Sequence, residues 1–235
     1  MVENHFDQIY VLNLKKREDR LRTTEKRLKF AEIEKYTVFN GVDGRVAYKL
    51  WEVYSRENQF FKNSNYVGCA LSHLSIYQHA LEKGYEKILI IEDDNRVNVN
   101  ANKLVESIYP QVPEWELLYL GFIPLSDDCT KWDYNVFQLL PGHPHVAIAK
   151  NFWGLFAYGI TQNLMKEMIE IYNKDFPMEI DRFFVNYIQP RGKTYGMTPQ
   201  IFAADDGYSD NSNIVETGML QRSIDARFGS ITDYV

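Results

Sequence analysis

The chain has 235 residues, 45% of them apolar and 14% aromatic, enough for one sizeable core and too few for a tandem array of full domains. Charged residues make up 25%, an average globular share, which excludes disorder along most of the length. The balance of 26 Lys and Arg against 32 Asp and Glu gives −6, the wrong sign for gripping a nucleic-acid backbone over a wide face.

The first residues, MVENHFDQIYVLNL, lack a basic region followed by an apolar run, so no signal peptide is read and a soluble, cytoplasmic or other intracellular chain is expected. Residues 9–14 (IYVLNL) form a β-rich apolar run that reads as a buried strand. Residues 17–33 follow with Leu21, Leu28 and Ala31 on one helical face and charges elsewhere. A short strand over 36–39 then runs into Asn40, Gly41, Val42, Asp43 and Gly44, where two glycines suggest a turn conformation closed to most residues. The helix expected over 68–83 stops at Gly84. It carries Cys69, which shares no CxxC spacing with the other cysteine, Cys129, so no disulfide framework or structural zinc is indicated and a reducing compartment fits. His73 and His79 on the same helix are six apart, the wrong interval for a shared face, though His73 alone is placed to donate a hydrogen bond.

Residues 87–91 (KILII) are the clearest buried strand, and they run directly into Glu92, Asp93 and Asp94. Helical character over 101–109 and a strand over 115–120, ended by Gly121, continue an alternation that favours parallel pairs with helices on both faces. Farther on, 136–140 and 145–149 flank a hairpin-like PGHP connection. The apolar run FWGLFAYGI (152–160) is about half the ~20 residues of a bilayer-spanning helix, so no membrane span is expected. Thr161 is placed to cap a helix carrying Leu164, Met165 and Met168, residues 180–188 read as another helical stretch, and 205–213 are polar and turn-rich. The last twenty residues read as a packed tail.

Open α/β sheets bind ligands beyond the carboxyl ends of their strands, which is where the three acids at 92–94 are delivered. On an extended segment Glu92 and Asp94 face one region and Asp93 another. Oxygen-only ligands so crowded suit Mg²⁺ or Mn²⁺, which bridge to substrate phosphates; the alternative is a solvated turn with Asp93 or Asp94 capping the next segment. Asn13, Lys15, Lys16, Arg17 and Arg20 sit at the first strand-to-helix junction, where N–H groups and guanidinium forks meet a diphosphate, or else form an ordinary solvated helix start with Arg17 or Arg20 paired to Glu18 or Asp19. No Gly-x-Ser-x-Gly elbow supports a serine hydrolase.

In order, IYVLNLKKREDR, the VDG turn, VGCALSH, ILIIEDD, WELLYLG, FWGLFAYGIT and DDGYSDNS resemble glycosyltransferase family 25, the lipooligosaccharide and procollagen galactosyltransferase family, over roughly residues 8–214. FWGLFAYGIT, MEIDRFF and DDGY are closest to its procollagen branch. The resemblance implies a GT-A-like, Rossmann-like α/β single domain with a mixed, mainly parallel sheet and flanking helices. It divides into a nucleotide-sugar and metal half (1–120) and an acceptor-side half (121–235). It further implies a UDP-sugar donor, typically UDP-galactose, Mn²⁺ or Mg²⁺, and inverting transfer to a glycan or to hydroxylysine of a collagen-like protein. Carried over residue by residue, it makes Glu92 and Asp94 metal ligands, joined by Asp205 and Asp206 on the late motif, which line the acceptor side in the other reading. The donor contacts are Asn13, Arg17, Arg20, Asn40, Asp43, Ser72 and Asp93, and the general base is Asp181. The segment around Asp181 departs from the family pattern, with Met178, Glu179 and Ile180 in place of the Pro-Val lead and Arg182 in place of the following acid. A glucosyltransferase of the same fold, a catalytically silent nucleotide- or glycan-binding module and a metal-dependent nucleotidyltransferase are the competing readings.

Overall fold

The computed structural model describes residues 1–49, 52, 63–126, 138–224 and 227–235, so Cys129 and the first residues of the expected 136–140 strand lie outside the described residues. Elements run β1 (Gln8–Asn13), α1 (Glu18–Phe30), β2 (Thr37–Asn40), α2 (Ser64–Glu82), β3 (Lys87–Glu92), β4 (Asn95–Val97), α3 (Ala101–Ile108) and β5 (Leu117–Pro124). After them come β6 (Gln138–Leu139), β7 (Val146–Ile148), β8 (Phe152–Thr161), α4 (Gln162–Lys174), α5 (Ile180–Phe183), β9 (Thr194–Met197), β10 (Phe202–Ala204), the hairpin β11 (Gly207–Ser209) and β12 (Ile214–Glu216), and α6 (Met219–Ser223).

Eight strands form one sheet in the order β2-β1-β3-β8-β5-β9-β7-β6. From the pairings, six of the eight run the same way and β7 and β8 run against them, the mixed, mainly parallel sheet expected from the sequence. Side chains alternate between the faces. Ile88 and Ile90 of β3 join one core cluster with Tyr77 of α2 and Met165 of α4. Leu89 and Ile91 join the opposite cluster with Leu28 of α1 and Val105 of α3. Burial on both faces explains why β3 reads as a continuous apolar run.

The same physics accounts for the apolar run at 152–160. It is the central strand β8, antiparallel to both β3 and β5. Among the described residues no helix is long and apolar enough to cross a membrane. Gly121 does not end its strand: β5 continues to Pro124, and the glycine lets it pass Phe156 and the residue 202 carbonyl, which a Cβ would meet at 2.3 and 2.6 Å. Thr161 does occupy the N-cap of α4, but its hydroxyl donates to the Glu116 carbonyl at 3.4 Å and makes no cap hydrogen bond. The stretch over 180–188 splits into α5 and a π-helical turn, Phe184–Ile188.

Gly84 ends α2 as expected, with φ +76° and the Tyr85 N–H donating to the Ala80 carbonyl. The glycines of the 41–44 turn serve differently from the expectation, since neither has positive φ. They permit close approach: the turn lies against α2, where a Cβ on Gly44 would meet Asn65 at 2.1 Å and one on Gly68 would meet the Val42 carbonyl at 2.7 Å and the Gly44 nitrogen at 2.9 Å. Ser72 completes the joint, accepting from the Val42 N–H at 2.8 Å and donating to the Gly68 carbonyl at 2.7 Å. Gly68→Ala presses a methyl group onto backbone that cannot give way, and is expected to cost about 1–3 kcal/mol, read as a lower denaturant midpoint at unchanged m. An unchanged midpoint means that the turn does not dock this way.

Candidate functional site

The site lies beyond the carboxyl ends of β1 and β3, which pair in parallel with Leu12 opposite Glu92. That register brings Asn13 beside Asp93, and the buried Asn13 amide donates to Asp93 Oδ2 at 2.5 Å and to the Arg17 carbonyl at 2.9 Å. After Asp94 the chain enters β4, which pairs with β10 so that Asn95 faces Ala204. The Asp205 N–H then donates to the Asp94 carbonyl, drawing the late acidic motif to the first one.

Two cavities share the 92–94 acids in their walls. A larger one of about 470 Å³ is lined by Arg17, Arg20, the three acids, Glu179, Asp181 and the 204–212 segment. A smaller one of about 90 Å³ reaches Gly41, Val42, Lys16, Asn65 and Ser72. Glu92, Asp93 and Asp94 all line both cavities, so the expected divergence of Asp93 does not occur. The strand ends at Glu92, and the turn that follows breaks the extended alternation on which that expectation rested.

Arg20 contacts Asp93 at 3.2 Å and Asp94 at 3.4 Å, so neither acid is merely a solvated turn residue. Arg17 pairs with Asp19 at 3.1 Å, as the plain helix-start reading has it, yet its Nη1 also reaches Asp210 at 2.5 Å. Ser72 lines the smaller cavity with its hydroxyl engaged by the turn. Asn40 is exposed at the end of β2, and Asp43 pairs with Lys16 at 3.4 Å and Arg45 at 2.7 Å; neither lines the two cavities. Asp205 has both oxygens taken, by Arg27 Nη2 at 2.5 Å and Arg96 Nε at 2.8 Å. Asp206 accepts from the N–H groups of Gly218 and Met219 and thereby fastens the start of α6.

Electrostatics separates these acids into two groups. Burial pushes Asp94 up, helped by Glu92 and Asp93, to about 7; its side chain keeps 41% exposure, and solvent moderates the shift. Burial and then Glu179 push Asp181 up to about 6. Asp93 is also raised by burial, against the pull of Arg20 and Asn13. Burial would raise Asp205 too, but hydrogen bonds from Arg96 and Arg27 outweigh it and hold the carboxyl below the usual range. Donated backbone N–H groups, first that of Gly218, lower Asp206. In the raised group burial and, at Asp94 and Asp181, neighbouring carboxylates outweigh the cations present, and in the lowered group donated hydrogen bonds prevail.

Residues the sequence reading missed are Asp210, Glu179 and Cys69. Asp210 takes Lys16 at 3.3 Å and Arg17 at 2.5 Å, and its carbonyl accepts from Asn65 at 2.7 Å, tying the β11–β12 connection over the cleft. Its signal was the sixth position of DDGYSDNS. Glu179 is buried in the cleft wall and held by Arg182 at 2.8 Å.

The family model described as glycosyltransferase family 25 (LPS biosynthesis protein) matches residues 6–184. Procollagen galactosyltransferase 2 of Mus musculus is 32% identical over 130 residues, 49% of this chain and 21% of the relative. Inactive glycosyltransferase 25 family member 3 of Homo sapiens is 37% identical over 59 residues, 23% of this chain and 10% of the relative. The chain thus spans about a fifth or less of these relatives. A solved glycosyltransferase involved in the glycosylation of the major capsid of PBCV-1 superimposes with a TM-score of 0.47 at 12% identity, covering 88% of this chain and 95% of that one. With well over half its length matched by the family model, from the first strand through the segment that carries Asp181, the chain belongs to glycosyltransferase family 25.

Proposed function

We propose that this chain transfers a sugar, galactose from UDP-galactose, to an acceptor hydroxyl of a glycan or a collagen-like protein, with inversion. The observation that carries the reading is a single cleft lined by Arg17 and Arg20, the crowded acids at 92–94 and Asp181 with its raised pKa. Residues 1–120 supply the nucleotide side, with the smaller cavity against the 41–44 turn for the nucleoside, and residues 121–235 supply the acceptor side.

Lys16, Arg17 and Arg20 meet the donor diphosphate, which exchanges with the Asp210 carboxylate now resting on them. Glu92 and Asp94 fit a hard divalent ion because both are oxygen donors and the charge of Glu92 bears on Asp94, with Arg20 at 3.4 Å from Asp94 the compensating cation among the described residues. Held by that pair, Mn²⁺ or Mg²⁺ supplies Lewis-acid stabilisation of the departing diphosphate. Asp181 takes the acceptor hydroxyl proton onto a carboxylate oxygen as the acceptor oxygen attacks the anomeric carbon, and the bond from that carbon to the diphosphate breaks on the far side. A base with a pKa of about 6 is ionised near neutral pH and still basic enough to accept that proton.

The test is UDP release from a panel of UDP-sugars by purified protein, with Mn²⁺ and with chelator, in the absence of acceptor. Release from UDP-galactose above UDP-glucose, lost on chelation, supports the reading. A silent nucleotide-binding module is the second reading, favoured by the similarity to a human relative named inactive; UDP binding without release from any sugar decides for it.

A further inference from the structure

Cys69 and His73 stand four residues apart on α2, on one helical face, and that face meets the end of β3 at Glu92. The Cys69 thiol, a His73 ring nitrogen and a Glu92 carboxylate oxygen all lie within 4.8 Å of one another. We infer that Cys69, His73 and Glu92 form a zinc-class metal site at the floor of the cleft, distinct in ligand chemistry from the oxygen-only pair of Glu92 and Asp94. The site has three protein ligands. Its remaining position faces the cleft, because Cys69 and Glu92 line both cavities while His73 is fully buried.

Three observations beyond proximity support it. First, the donor set is one sulfur, one imidazole nitrogen and one carboxylate oxygen, which selects a borderline-soft ion such as Zn²⁺ over Mg²⁺ or Mn²⁺. Second, His73 Nε2 and Glu92 Oε1 are 3.1 Å apart, close to the edge of roughly 3.3 Å that a tetrahedron with bonds of about 2.0–2.1 Å requires. The thiol, within 4.8 Å of both, closes onto them by leaving its contact with the Asn211 side chain. Third, the other ring nitrogen is already anchored: His73 Nδ1 bonds the Tyr158 hydroxyl at 2.8 Å, which bonds the Tyr77 hydroxyl at 2.6 Å. Such an outer partner fixes the ring and its tautomer, as it does for metal-bound histidines.

Only the consequence for turnover rests on the proposed sugar transfer: zinc held here withdraws Glu92 from its pairing with Asp94 and suppresses Mn²⁺-dependent UDP release. The site itself is tested without nucleotide. Metal-free protein is titrated with Co²⁺ as the optical stand-in for Zn²⁺. The expected spectrum has the strong visible bands of tetrahedral cobalt and a near-ultraviolet thiolate-to-cobalt band, saturates at one equivalent and is bleached by Zn²⁺ but not by Mn²⁺. Cys69→Ser removes the thiolate band and weakens Zn²⁺ binding by about 100-fold, while Cys129→Ser keeps both. A thiolate band that persists in Cys69→Ser, or weak octahedral bands with no thiolate band in the unsubstituted protein, overturns the assignment. Alkylation of the unsubstituted protein guards against misfolded variants: saturating Zn²⁺ is expected to slow iodoacetamide labelling of Cys69 by roughly tenfold or more, and equal rates overturn the site. Failure of UDP release leaves the cobalt spectrum untouched, so the two readings fall separately.

Discussion

Asp181→Asn is expected to lower turnover by about 10²–10⁴-fold while UDP affinity stays unchanged, the loss typical of a removed general base. The cations proposed to contact the donor, Lys16, Arg17 and Arg20, pair with Asp93, Asp94 and Asp210, whereas the Asp181 carboxylate accepts from the Arg182 N–H, so the substitution removes proton acceptance and leaves the nucleotide side intact. The pH profile carries an independent mark of the same role. With Asp181 raised to about 6 by burial and by Glu179, kcat/KM of the unsubstituted protein should fall as pH drops through that value. Glu179→Gln removes the second of those causes, and the acid limb should move to lower pH. A limb that stays in place, or an Asp181→Asn variant with full turnover, shows that another group takes the proton.

The stability of the same variant should move in the opposite direction to its activity. Asp181 has its folded-state pKa raised above the ordinary carboxyl value, so the native state holds that proton more tightly than the unfolded chain does. Its favourable contribution is complete below the ordinary value and is lost as pH rises through about 6. Above that, the ionised carboxylate is a cost that Asn does not bear. Asp181→Asn should therefore have a higher Tm than the unsubstituted protein at about pH 8, and the difference should vanish in acid. A gain in stability at pH 8 coupled to a loss of turnover is the outcome expected if Asp181 serves as the proposed base; a loss of both would mark it as structural.

The alternation of β1, α1, β2, α2 and β3 was legible because each element carries its own periodicity or apolar run within a few residues. The same local signal failed for β8. Two glycines interrupt its apolar run, unlike that of β3, and its antiparallel place between β3 and β5 depends on partners from 28 residues (Pro124 opposite Phe152) to 74 residues (Lys87 opposite Thr161) away. The site shows the same division. The acids at 92–94 and the arginines at 17 and 20 could be found because strand ends deliver them, and Asp181 and the late motif came from the family resemblance. What each acid does was not legible, because that depends on long-range partners. Asp205 and Asp94 look alike in sequence, yet Arg27, 178 residues from Asp205, satisfies one of its oxygens, and Asp94 is crowded by its own neighbours. Cys69 and His73 carry a local i, i+4 signal, but the third ligand arrives only when β3 docks beside α2.

That contrast between Asp94 and Asp205 sets the second large effect. Asp94→Asn is expected to weaken Mn²⁺-dependent UDP binding by roughly 10- to 100-fold. UDP binding measured without metal should be unchanged or slightly tighter, since a negative charge beside Arg20 has been removed from the approach of the diphosphate. Calorimetry with and without Mn²⁺ separates the two, and a purely structural role for Asp94 would lower both. Asp205→Asn should behave differently. It leaves Arg27 and Arg96 facing a group that no longer carries charge, at a carboxyl only 18% exposed, which should cost about 3 kcal/mol of stability. Because that carboxyl is held below the usual range, its contribution is present above the ordinary carboxyl pKa and is lost as pH falls through its lower folded value. The Asp205→Asn penalty should thus shrink in acid, while the Mn²⁺ dependence of UDP binding persists. A variant at 205 that keeps its Tm and loses the metal effect would instead place Asp205 in the metal shell, and the two arginines would then be partners it releases when the ion arrives.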